Sequence, residues 1–144
     1  MALSALVRRG FDVLVPFGEG QPYDLVVHLG DGMFLRVQCK TAWPEGGCMI
    51  FNCRSTDHGR GPQSYVGFAD IFAVYFPPRM SVYLVPIDAV ADTAGRLRLE
   101  PTRNNQRRRI RFAADFEIDQ WTLNSLREVV ESKTPRDESR LSVA

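Results

Sequence analysis

Long apolar runs are missing from this sequence, and none approaches the roughly 20 residues that a membrane-spanning helix requires. No membrane partner is expected. Histidine is scarce, with only His28 and His58, and cysteine is nearly as rare. Cys39, Cys48 and Cys53 are odd in number and form no Cys-x-x-Cys, which argues for buried reduced thiols rather than a zinc site. The opening stretch, Met1-Ala-Leu-Ser-Ala-Leu-Val-Arg-Arg9, puts its basic groups after the apolar ones, the reverse of a secretory signal. A cytoplasmic protein is expected. Internal repeats, low-complexity tracts and linkers are absent too, so residues 1–132 are expected to form one domain and 133–144 a polar, flexible tail.

What is present is an ordinary apolar fraction of 44% in 144 residues, enough to bury a core. Net charge is only +1, yet five arginines and no acid lie between Arg103 and Arg111. Two readings stand: a localised anionic partner, of which nucleic acid is the commonest, or a solvated basic loop.

Residues 2–9 read as a helix closed by Gly10, and residues 11–15 as a short strand ended by Pro16. Residues 24–29 and 33–41 read as a hairpin around Gly30-Asp31-Gly32. A further run, 48–53, is expected to extend the same sheet. Residues 54–64 form a long polar loop, 70–76 and 81–86 another strand pair, and 96–99 a short edge strand. Residues 112–118 can be read either way, and about 119–132 looks helical. The fold class is α/β, with a mixed or antiparallel sheet.

The hairpin carries the chemistry. Side chains alternate across a strand, so Phe34, Arg36, Gln38 and Lys40 share one face, opposite Leu35, Val37 and Cys39. A two-residue turn would set Asp24 against Cys39. A three-residue loop pairs 28 with 34, 26 with 36 and 24 with 38, and it also matches Leu25, Val27 and Leu29 to the apolar set of the second strand. Burial of one consistent face selects the three-residue loop, with Gly32 left-handed. Asp24 should therefore face Gln38, with Lys40 one step along. An acid, an amide oxygen and a lysine suit a hard cation such as Mg²⁺, with Mn²⁺ as an alternative, and a cationic helper beside it. The competing reading is a plain polar strand face.

The runs Pro22-Tyr23-Asp24, Leu25-Val-Val-His-Leu29 and Val37-Gln38-Cys39-Lys40-Thr41 resemble the core signature of the PD-(D/E)XK nuclease superfamily, in which an Asp starts one strand and a (D/E/Q)-x-K triplet lies on the next. The Gln variant is similar to that of the intron-encoded homing endonucleases of this fold. The likeness continues through Tyr65-Val-Gly-Phe-Ala-Asp70, Val82-Tyr-Leu-Val-Pro86 and Asn104-Asn-Gln106, over roughly residues 3–117. It implies a restriction-endonuclease-like domain with a mixed sheet flanked by helices, hydrolysing DNA phosphodiesters with Mg²⁺. Asp24 and Gln38 would bind the metal and Lys40 would position the water. Arg103, Asn104, Asn105, Gln106, Arg107, Arg108, Arg109 and Arg111 would then contact DNA, and a homo-oligomer would supply two active sites.

The family pattern also has a Glu on the first helix, whereas no acid lies between Met1 and Gly10. Three outcomes follow: a start further upstream, a thinner metal site helped by Glu19, or a catalytically weak DNA-binding module on the same fold.

Overall fold

The computed structural model describes residues 1–55, 61, 63–101, 104 and 110–133. Helix α1 (Ala2–Arg8) ends where Gly10 turns left-handed at φ 81°. Its N–H reaches Val7 O at 2.9 Å and that of Phe11 reaches Leu6 O at 3.2 Å, satisfying carbonyls of the last turn. Strands β1 (Asp12–Leu14), β2 (Leu25–His28) and β3 (Phe34–Thr41) follow as an antiparallel meander.

The β2–β3 register pairs His28 with Phe34, Val26 with Arg36 and Leu25 with Val37. This is the register of the three-residue loop. Leu29 N–H donates to Met33 O at 2.8 Å, and Gly32 sits at φ 72° as that loop requires. Asp31 is left-handed as well, at φ 52°, a conformation Asp tolerates better than most residues.

Beyond β3 come β4 (Trp43–Glu45), β5 (Cys48–Asn52), the short strands β6 (Arg54–Ser55) and β7 (Gln63–Ser64), and then β8 (Ile71–Phe76). β8 returns parallel to β3 and pairs antiparallel with β9 (Ser81–Pro86), giving a five-stranded mixed sheet of order β1-β2-β3-β8-β9. The run at 48–53 does not extend this sheet. β5 instead sits at the centre of a separate antiparallel sheet, between β4 and β10 (Ala94–Arg98). Pro44-Glu-Gly-Gly47 supplies a turn that folds β5 back on β4, which closes its edges to β3.

Residues 112–118, open on sequence, enter two short 3₁₀ turns, Ala113–Phe116 and Ile118–Gln120. Helix α2 (Leu123–Glu131) therefore starts later than about 119. Thr122 caps it in a reciprocal box with Ser125, fixing the first turn.

Two apolar clusters follow from the alternation. Leu25, Val27, Leu29, Leu35, Val37, Ile71, Ala73 and Leu84 meet Leu6 of α1 and Leu126 of α2 on one side of the large sheet. Phe72, Val74, Phe76, Tyr83 and Val85 meet Met49, Phe51 and Leu97 of the second sheet on the other. β8 is apolar on both faces because both are covered. Gly95 lies in β10 where a Cβ would run into the Phe51 ring. Gly95→Ala should therefore cost about 2 kcal/mol by overpacking, read as a lower midpoint in urea unfolding with an unchanged slope.

Candidate active site

Asp24 lies just before β2, where the ladder with β3 ends. Its N–H donates to Val37 O at 2.9 Å, and its carboxylate Oδ2 accepts from Cys39 N–H at 2.9 Å. The side chain thus takes the place a strand carbonyl would hold, which orients an exposed acid without burying it. Gln38 is half-buried, and its Nε2 donates to Cys39 O at 3.4 Å, turning the amide so that Oε1 has no hydrogen-bond partner among the described residues. Asp24 and Gln38 line one recess of about 500 Å³ together with Ser64 and Tyr65. A second recess of about 340 Å³ holds Asp24, Cys39, Lys40 and the first residues of α1.

Lys40 is half-buried on the same face as Gln38. Its Nζ donates to Arg54 O at 3.1 Å and to Tyr65 Oη at 3.3 Å. Burial pushes the Lys40 ammonium below its ordinary value, opposed by Cys53 and Asp24. Burial, reinforced by Asp24, raises the Cys39 thiol to about 11, so it is neutral at neutral pH and no thiolate competes with the oxygen donors. Burial, and then Asp24, raises the Tyr65 phenol as well.

The donor set fits a hard dication, if thinly. A carboxylate oxygen and an amide oxygen are the ligand types Mg²⁺ takes, and that ion draws few ligands from protein. Only one of the two is charged. Among the described residues, no group of three or more His, Cys, Asp or Glu side chains stands ready to hold a metal. Glu19 is exposed and lines neither recess.

Of the residues expected at DNA, Asn104 and Arg111 are described, and both are exposed. Arg111 O accepts from Arg98 N–H at 2.8 Å, which ties it to the end of β10. Arg103, Asn105, Gln106, Arg107, Arg108 and Arg109 lie outside the described residues, as do His58 and residues 134–144. His28 lies at the far end of β2 from Asp24, paired with Asp12 at 3.3 Å and tilted against Phe34.

Two residues lie in the run that carries the resemblance, but nothing in the sequence gives them a role. Tyr65, buried at the end of β7, touches Lys40, and no spacing relates the two. Asp70, only 4% exposed, receives the Arg36 backbone N–H at 2.7 Å and its guanidinium at 3.1 and 3.2 Å. Its place as a lone acid heading an apolar run was the local signal for it.

The site therefore consists of an exposed acid just before β2 and a half-buried amide and lysine on β3 of the mixed sheet. The chain belongs to the PD-(D/E)XK endonuclease family, whose model matches residues 1–119. Four chains among solved structures also match. One is a bacterial homing endonuclease, I-Ssp6803I, similar in fold with a TM-score of 0.64 over 92% of this chain and 91% of that one, at 23% identity. No curated protein matches the sequence. Among the described residues, no helix is long and apolar enough to cross a membrane.

Proposed function

We propose that the protein is a metal-dependent DNA endonuclease that hydrolyses phosphodiester bonds in the cytoplasm, with Asp24, Gln38 and Lys40 at its active centre. The observation that supports this reading is that Asp24 and Gln38 line one recess, with Lys40 two residues further along β3. Asp24 and Gln38 would hold Mg²⁺, or Mn²⁺ in its place. A bound ion of this kind supplies an acidified water and neutralises charge on the phosphate. Asp24 is held still by Cys39 N–H, so its orientation is set before substrate arrives. Lys40 presents an ammonium whose remaining N–H can meet the attacking water or a phosphate oxygen as charge builds there.

Arg103, Arg107, Arg108, Arg109 and Arg111 would pair with backbone phosphates, while Asn104, Asn105 and Gln106 suit base edges or grooves. Symmetric cutting of two strands needs two such sites, so a homo-oligomer is expected.

The single carboxylate favours a second reading, a DNA-binding module on this fold with weak cleavage. Lys40→Ala separates the two. For an endonuclease, the single-turnover cleavage rate with Mg²⁺ should fall about a hundredfold while DNA affinity changes less than about threefold. Equal rates for wild type and variant would favour the binding module. Affinity falling steeply with salt would mark both, and flat salt dependence would remove DNA as the partner.

A further inference from the structure

We propose that Tyr65 is the positioning residue for Lys40, fixing its ammonium at the active recess; this rests on the nuclease reading above.

A lysine on a half-exposed strand face ordinarily extends its flexible stem into water. Lys40 does not. Its Nζ lies 4.7 Å from the centroid of the Tyr65 ring and 3.3 Å from the phenol oxygen of the same residue, with Arg54 O as a second acceptor at 3.1 Å. The phenol oxygen is therefore the acceptor, and the ammonium sits out beyond the hydroxyl end of the ring rather than over its face. An ammonium has three N–H donors. Two are taken by Tyr65 and Arg54, which leaves one for whatever enters the recess.

Both holders are themselves fixed. The Tyr65 ring is buried and meets Phe72 edge-on at 5.8 Å, and Phe72 in turn meets Phe51 at 5.6 Å. The chain carrying Arg54 O is held by Asn52, which accepts Arg54 N–H at 2.9 Å, and by the Arg54–Asp92 pair at 3.2 Å. Tyr65 also lines the recess that Asp24 and Gln38 share, while Lys40 lines the neighbouring recess with Asp24. The lysine is thus held from the β6–β7 side of the site.

The test combines single-turnover cleavage with NMR of the full chain carrying ¹³C-labelled lysine. Tyr65→Phe keeps the ring and removes the hydroxyl, and should slow cleavage about tenfold, the loss expected for one charge-assisted hydrogen bond. Tyr65→Leu removes both and should slow it further. DNA affinity should stay within about twofold for each variant, since neither removes a phosphate contact. In the NMR arm, the Lys40 methylene signals should be displaced from ordinary lysine values by the neighbouring ring in wild type and in Tyr65→Phe, and return to those values in Tyr65→Leu. Unchanged cleavage in Tyr65→Phe would overturn the role, as would a rate loss matched by an equal loss of DNA affinity. Lysine signals that do not respond to Tyr65→Leu would overturn the positioning itself, whether or not the protein cleaves. A wild type that cuts no DNA would instead sink the nuclease reading, and the NMR arm would still decide whether Tyr65 holds Lys40.

Discussion

Asp24→Asn is expected to reduce the cleavage rate at least about a thousandfold while leaving the fold intact. The substitution isolates charge from structure. An Asn side-chain oxygen can still accept the Cys39 N–H that Asp24 accepts at 2.9 Å, so the end of the β2–β3 ladder keeps its bond. What disappears is the only carboxylate of the donor pair, since Gln38 brings a neutral amide. Two neutral oxygens hold a hard dication poorly. The melting temperature should stay within about 2 °C of wild type, because an exposed acid contributes little to stability beyond that bond. Asp24→Ala removes the acceptor as well and should cost about 1 kcal/mol more in stability. Plasmid nicking together with calorimetry reads both quantities.

Asp70→Ala should have the opposite profile, with a large loss of stability and little change in chemistry. Asp70 heads β8 and is the one buried charged residue among those described. Its carboxylate takes one backbone N–H and two guanidinium bonds from Arg36 on β3, and Lys133 Nζ donates to its carbonyl at 2.9 Å. It therefore fastens the parallel β3–β8 junction, which no hairpin turn holds. Removing it leaves Arg36 N–H without its acceptor and two cations without their counter-charge. Water reaches the Arg36 side chain, which is 36% exposed, so the cost falls at the low end for a broken buried pair, about 3 kcal/mol. The melting temperature should drop by about 10 °C. Cleavage measured well below that melting point should stay within about threefold of wild type, because Asp70 lines neither recess of the site.

The hairpin was the most legible part of the molecule. Its strands alternate cleanly, and a one-residue slip would have exposed Leu25, Val27 and Leu29, so burial alone selected the register, which pairs Leu25 with Val37 next to Asp24 and Gln38. The end of the first helix was readable for a similarly local reason, in Gly10, whereas the Thr122–Ser125 box starts the second helix later than its apolar pattern suggested. The second sheet was not legible. Residues 48–51 are apolar and buried like those of β8, and periodicity cannot say which sheet such a strand joins; the Gly46-Gly47 turn and the long-range pairing with β10 decide it. Lys40 was identified as a side chain, but its holders were not. Arg54 O is a backbone atom, and Tyr65 is brought to Lys40 only by the short β6–β7 pairing, which the polar composition of 54–64 conceals. The fold-fixing role of Asp70 was hidden for the same reason, since its partner Arg36 lies 34 residues away.

The central claim is that Asp24, Gln38 and Lys40 form a metal-supported centre for phosphodiester hydrolysis. Cleavage of supercoiled plasmid by the purified full chain tests it most directly, run with Mg²⁺, with Mn²⁺ and with EDTA, alongside Asp24→Asn. The account predicts nicking and linearisation with either ion, none with EDTA, and none above background for the variant. Cleavage that survives chelation, or that is equal in wild type and Asp24→Asn, would contradict it.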